Sequence, residues 1–318
     1  MNRKVVTKTC NSFLTRVGWA LLKKTGGMPL EEHGSAPPAI VSPALQNLLP
    51  QDWEKHRFGL PPERWDQISA HSFWITGAGT GYGRSLACAL AAGGAQVFLT
   101  GRRVEKLKET LAEMTSLGIS TQKAHLVPAD LTDKADIEAA CQTVRGLCSS
   151  LYGLINNAAL PSQSGSKYPL HDDPFEYWEK IMATNLTAPW FLTRTIFPHM
   201  ATGGHVRVVF MSSEAAWAST PGFGMYNISK AALNSLGHSL AQELAAYARN
   251  SDIQINTVVP GEARTEMNQG SNTSPYAVVS ILLLLLSHPD GGPNGRFFHR
   301  DGRHLQFAYT EPYTVSLM

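Results

Sequence analysis

Ser72-Phe73-Trp74-Ile75-Thr76-Gly77-Ala78-Gly79-Thr80-Gly81-Tyr82-Gly83-Arg84 is the stretch on which the reading of this chain turns. A short apolar run passes into a glycine-rich turn, and a helical pattern follows. Where glycine removes the side chain, the backbone turns tightly and a pyrophosphate can approach the helix N-terminus, whose free N–H groups favour anions. The bland alternative is a plain glycine-rich turn. The strand before it and the helix after it favour dinucleotide binding.

From Ser72 onward strand and helix patterns alternate. The strands read as Ser72–Thr76, Gln96–Thr100, Lys123–Pro128, Gly153–Asn157, Val206–Ser212, Gln254–Val259 and Arg296–His299, each but the last followed by a helical segment. Such alternation predicts an α/β fold: a doubly wound parallel sheet of about seven strands with helices on both faces. Asp173-Pro174-Phe175-Glu176 reads as a helix start, with Asp at the N-cap, Pro at N1 and Glu at N3. That helix is expected to run through Trp178 and Ile181 to Asn185. The chain of 318 residues suits one such domain, 71–318, preceded by an arm, 1–70.

A second constellation lies further on. Val206 to Met211 reads as a buried strand, Ser213 follows it, and Tyr226 and Lys230 open a helix marked by Leu233, Leu236, Leu240 and Leu244. Tyr226 and Lys230 are four residues apart and so share a helix face. A cation there is expected to pull the phenol down from its ordinary value towards useful acid–base chemistry. Ser213 falls at the carboxyl end of its strand, where open α/β sheets place their ligands. Tyr-x-x-x-Lys alone marks a solvated helix face as readily as a site. The serine thirteen residues upstream and the glycine-rich turn change that balance.

Together these residues resemble the short-chain dehydrogenase/reductase family in its single-domain, three-glycine Rossmann form, over roughly residues 71 to 303. The resemblance implies a catalytic set of Asn185, Ser213, Tyr226 and Lys230. Ser213 would orient a substrate oxygen, Tyr226 would act as general acid or base, Lys230 would lower the tyrosine's pKa and bind the nicotinamide ribose, and Asn185 would keep a proton relay hydrated. It further implies a cofactor surface made of Thr76, Gly77, Gly79, Thr80, Gly81, Tyr82 and Gly83, of Asp130 and Leu131, of Asn157 and Ala158, of Tyr226 and Lys230, and of Pro260, Gly261, Ala263 and Thr265. Ala159 stands where the family's Asn-Asn-Ala-Gly has its glycine. Trp217, Leu160 and Met267, with Tyr82, are the expected substrate lining. The second strand ends in Gly101-Arg102-Arg103 where NAD-preferring members carry an acid; guanidinium suits a 2′-phosphate, so NADP is expected in preference to NAD.

The activity implied is hydride transfer between NADP and a small carbonyl or alcohol substrate, with no metal. The alternatives are a non-catalytic NADP-binding regulator on the same fold, and epimerase-type chemistry on a nucleotide sugar. A homodimer or homotetramer is implied through the helices that begin at Pro174 and Tyr226.

Bulk properties narrow the classes. With 43% hydrophobic and 16% charged residues the chain can bury a full core, and its net charge of +2 gives no electrostatic case for nucleic acid. Cys10, Cys88, Cys141 and Cys148 do not cluster, which reads as reduced cysteines in a cytoplasmic protein. The ten-residue apolar run Ala277–Leu286 is too short for a membrane span, which needs roughly 20, and is expected to be buried, including across a second subunit interface. Residues 1–30 hold six basic residues and no acid; a helix over Asn11–Lys24 is expected to pack on the protein, with peripheral contact to a membrane surface as the alternative.

Overall fold

The computed structural model describes residues 43–161, 170–172, 174–218 and 221–305. In chain order the elements are α1 (Trp53–His56), α2 (Pro62–Ile68), β1 (Ser72–Thr76), α3 (Gly81–Ala92), β2 (Gln96–Thr100), α4 (Val104–Ser116), β3 (Ala124–Leu126), α5 (Lys134–Leu147) and β4 (Gly153–Asn156). They continue as α6 (Phe175–Met182), α7 (Ala188–Ala201), β5 (His205–Met211), α8 (Ala215–Ala218), α9 (Gly224–Tyr247), β6 (Asp252–Val259), α10 (Val279–Leu286) and β7 (Phe297–His299). The helix expected over Asn11–Lys24 lies outside the described residues.

The seven strands form one sheet in the order β3-β2-β1-β4-β5-β6-β7, all pairs parallel. Parallel strands are covered on both faces, which is why β1 is buried at every position. Successive side chains alternate: Phe73 and Ile75 join one apolar cluster and Trp74 the other. The strand order reverses between β1 and β4, so a crevice opens at their carboxyl ends.

Three local readings need correction. The third strand is only Ala124–Leu126, not Lys123–Pro128. Helix α6 has Pro174 at its N-cap and no side-chain cap, one residue later than expected, and Asp173 lies outside the described residues. The helix does not run evenly to Asn185: a π-type turn, Ala183–Thr187, separates α6 from α7. Such turns commonly mark functional positions.

The apolar helix α10 is buried within this chain, and the segment ahead of β1 is what covers it. Phe58, Leu60, Trp65 and Ile68 share a core cluster with Val279, Ile281, Leu282 and Leu286. Phe58 stacks on Tyr276 with ring centres 5.8 Å apart, its backbone held in the left-handed region at φ 49°. Ser280 Oγ donates to the Phe58 carbonyl at 2.7 Å, Arg64 donates to the Ser287 and Leu284 carbonyls, and Trp53 Nε1 donates to the Leu117 carbonyl at 3.0 Å. A helix apolar all round needs cover all round, and here the sheet and the arm provide it. Among the described residues no helix is long and apolar enough to cross a membrane.

Candidate active site

The expected site residues lie just beyond the carboxyl ends of six strands: Thr76 closes β1, Arg102 follows β2, Asp130 β3, Asn157 β4, Ser213 β5 and Pro260 β6. Parallel packing fixes this arrangement, because every strand delivers its exit loop to the same edge.

The glycine-rich turn is closed around its neighbours. Gly77 adopts φ 65°, and a Cβ added there would stand 2.8 Å from Asn157 Nδ2. At Gly83 the same atom would stand 2.3 Å from the Gly77 carbonyl oxygen, so no other residue fits. Asn157 braces the turn by donating to the Thr76 and Gly77 carbonyls at 2.9 and 3.2 Å, and Thr76 Oγ1 accepts from the N–H of Asn157 and of Ala158. Gly79 accepts from Arg84. Gly81 opens α3 behind Thr80, whose side chain makes no capping bond. The first-turn N–H groups of α3 thus face the crevice without a side-chain acceptor, a cradle that fits a dinucleotide phosphate.

The loop after β6 lies over this turn. Thr265 would meet a Cβ on Gly81 at 2.9 Å, Tyr82 Oη donates to the Gly261 carbonyl at 2.8 Å, and Ala263 is buried between. Burial pushes the Tyr82 phenol well above its ordinary value. At the end of β2 the two arginines part company. Arg103 pairs with Glu266 at 2.6 Å, tying β2 to the β6 loop, whereas Arg102 is exposed and within electrostatic reach of Asp130. Burial raises the Asp130 carboxyl, but hydrogen bonds from Thr132 N and Oγ1 outweigh it and hold the group below its ordinary value. Leu131 is half-buried beside it.

Around β5 the four expected catalytic residues converge. Asn185 sits in the π-type turn and is buried; its amide donates to the Leu160 carbonyl at 3.0 Å and to Ser229 Oγ at 3.1 Å, and its Oδ1 accepts from Leu160 N at 2.7 Å. Ser213 Oγ accepts from Ala215 N at 3.2 Å, and its side chain acts on the Tyr226 phenol. Lys230 is buried, donates to the Met211 carbonyl at 2.8 Å, and lies 5.6 Å from the Tyr226 ring centre. Burial lowers the Lys230 ammonium to about 8. The Tyr226 phenol moves upward, not downward as expected: burial penalises the phenolate, and the Ser213 side chain only partly offsets it. Tyr226 keeps part of its surface open to the crevice. The reason for the correction is desolvation, which at this distance outweighs a cation committed to a backbone carbonyl.

Of the expected substrate lining, Trp217 is half-buried against Phe297, Leu160 is fixed by Asn185, and Met267 is exposed. Sequence reasoning missed Glu214 and His299, which meet beside Ser213 at 3.7 Å although 85 residues separate them. Only the adjacency of Glu214 to Ser213 could have drawn notice. Among the described residues one group of metal-type ligands lies together, His205, Asp252 and Asp290, at the opposite edge of the sheet; Arg207 stands 2.7 Å from Asp252 and already supplies the cation there.

A family model described as short chain dehydrogenase matches residues 72–275. The chain belongs to the short-chain dehydrogenase family. It is thereby a member of an oxidoreductase family. It is similar to dehydrogenase/reductase SDR family member 4 of Bos taurus, 32% identical over 195 residues, covering 61% of this chain and 66% of the bovine protein, just under two thirds. It is equally similar to 2-(R)-hydroxypropyl-CoM dehydrogenase of Xanthobacter autotrophicus, 32% identical over 61% of this chain and 75% of that one. In structure it is similar to a metagenomic short-chain oxidoreductase in complex with NADP, with TM-score 0.60 and 28% identity over 70% of this short-chain dehydrogenase and 93% of the other.

Proposed function

We propose that this chain is an NADP-dependent oxidoreductase acting on a small carbonyl or alcohol substrate, with Ser213, Tyr226, Lys230 and Asn185 as its catalytic machinery. The observation that carries the reading is the buried Lys230 ammonium, 5.6 Å from the Tyr226 ring centre at the carboxyl end of β5, with the Ser213 side chain near enough to act on the same phenol. The glycine turn and the open N-terminus of α3 would hold the pyrophosphate, and Arg102, exposed while its neighbour Arg103 is paired with Glu266, would face the 2′-phosphate. When bound, the nicotinamide supplies or accepts the hydride.

The protein's own part is proton handling and orientation. Ser213 Oγ and Tyr226 Oη together present two hydroxyls to one substrate oxygen. A phenol is protonated at neutral pH, so Tyr226 can donate its proton to that oxygen in reduction and take it back in oxidation. Lys230 holds Met211 and, with its lowered value, sits ready to return a proton. Asn185 fixes Leu160 and Ser229 rather than reaching the phenol itself, which makes it the brace between α6, α7 and α9.

We read the arm of residues 1–70 as an extension of a catalytic domain spanning 71–318, the whole acting in the cytoplasm. NADPH consumption by the purified protein against a panel of aldehydes and ketones at pH 7 tests the reading. Turnover with NADPH supports it. Tight NADPH binding without turnover on any member of the panel would favour the non-catalytic regulator.

A further inference from the structure

The loop that carries Ser213 is tied to β7 at two points. Phe297 and His299 are two residues apart on that strand and so project from the same face. Phe297 meets Trp217 edge to face with ring centres 5.4 Å apart. His299 Nε2 lies 3.7 Å from Glu214 Oε1, and its Nδ1 lies 2.9 Å from Asp301 Oδ2. Asp301 is itself anchored, accepting from Arg303 N at 3.0 Å and Arg303 Nε at 2.8 Å. The series Arg303–Asp301–His299–Glu214 therefore runs from the end of β7 to the residue next to Ser213. Glu214 and Ser213 in turn open α8: the Glu214 carbonyl accepts from the N–H of Trp217 and of Ala218, and that of Ser213 from Ala216. A movement of Glu214 thus moves the Ser213 hydroxyl.

We propose that His299, as its cation, is a positioning residue for Ser213: it clamps Glu214 to β7 and so holds the serine hydroxyl in register with Tyr226. The inference rests on the oxidoreductase reading of the same site. The charged groups facing the imidazole are Glu214 from the β5 exit and Asp301 from the β7 exit, with Arg303 behind Asp301. Burial alone would lower the imidazole's value; the two carboxylates outweigh it and raise it. The sign follows: a raised value keeps the clamp charged to a higher pH than an ordinary imidazole would, and the clamp is lost as pH rises through that value. Lys230, which gives up its proton at about 8, adds a separate effect that does not depend on His299.

Two readouts test this on the full chain. The first needs no turnover: the imidazole of His299, assigned by its disappearance from the nitrogen-correlated NMR spectrum of His299→Gln, is titrated in the unmodified protein and in Glu214→Gln. The midpoint is expected to fall in Glu214→Gln towards the ordinary value of roughly 6.5. The second is the pH profile of kcat and KM with NADPH and a working carbonyl substrate. His299→Gln and Glu214→Gln are each expected to lower kcat about tenfold at pH 6.5, to leave KM within about twofold, and to lose the fall in kcat that accompanies imidazole deprotonation. An unchanged kcat and pH profile in His299→Gln would overturn the positioning role while leaving the oxidoreductase reading intact. An unmoved imidazole midpoint in Glu214→Gln would overturn the clamp itself. If the unmodified protein turned over no carbonyl while the midpoint still moved, the oxidoreductase reading would fail and the positioning role with it.

Discussion

Lys230 and Tyr226 meet face to ring: the ammonium lies 5.6 Å from the ring centre and spends a hydrogen bond of 2.8 Å on the Met211 carbonyl. The cation is thus built into the end of β5. Its burial lowers its value to about 8, so the folded protein carries the cost of a desolvated ammonium below that pH.

A stability measurement follows from that cost. The lowered value means that the unfolded chain binds the proton more tightly between pH 8 and roughly 10.4, the ordinary lysine value, so stability rises with pH across that window. Compared with Lys230→Met, the unmodified protein is expected to gain in thermal midpoint from pH 8 to pH 10. A difference between the two proteins that stays flat with pH contradicts the assignment.

The arm is expected to be structural where it covers α10. Phe58 is 1% exposed and stacks on Tyr276, so Phe58→Ala removes a full aromatic ring from a filled site. Urea unfolding is expected to show a loss of about 3–5 kcal/mol. A loss below about 1 kcal/mol contradicts the packing role. Light scattering on the same unmodified protein is expected to report a homodimer or homotetramer, since Phe175 on α6 and Tyr247 on α9 are 66% and 82% exposed; a monomer contradicts the assembly.

The glycine turn offers a paired test. Gly83→Ala drives a methyl group into the Gly77 carbonyl, whereas Gly101→Ala places one in ordinary contact with Leu107 at 3.4 Å. NADPH affinity measured by fluorescence is expected to fall more than about tenfold in the first and to hold in the second. Equal affinity in both contradicts the cradle.

Much of this was legible in the sequence because it is local. The strand-turn-helix of Ser72 to Arg84, the alternation that follows, and the four-residue spacing of Tyr226 and Lys230 all depend on near neighbours. What escaped depends on contacts between distant residues. The π-type turn at Asn185 goes with its bonds to Leu160, 25 residues away, and no periodicity announces it. Arg103 finds Glu266 only through the fold, and Phe58 takes up a left-handed backbone that its residue type disfavours, in a pocket made by α10. The direction of the Tyr226 shift was misread for the same reason: spacing shows that a cation is near, but not how much water has been removed from the phenol.

On the proposed reading, cofactor choice is expected to turn on Arg102 rather than on both arginines. Arg103 is paired with Glu266, so Arg102→Ala is expected to weaken NADPH roughly tenfold or more and leave NADH nearly unchanged, while Arg103→Ala acts on both alike. Equal binding of NADPH and NADH by the unmodified protein contradicts the 2′-phosphate role.

The central claim is that Tyr226 is the proton donor, and Tyr226→Phe tests it by removing one oxygen and keeping the ring. The measurement is paired, NADPH binding by fluorescence and then turnover of a carbonyl substrate on the same sample. The account predicts unchanged NADPH affinity and turnover lower by about 10²–10⁴-fold, the usual weight of a general acid; full turnover in Tyr226→Phe would contradict it.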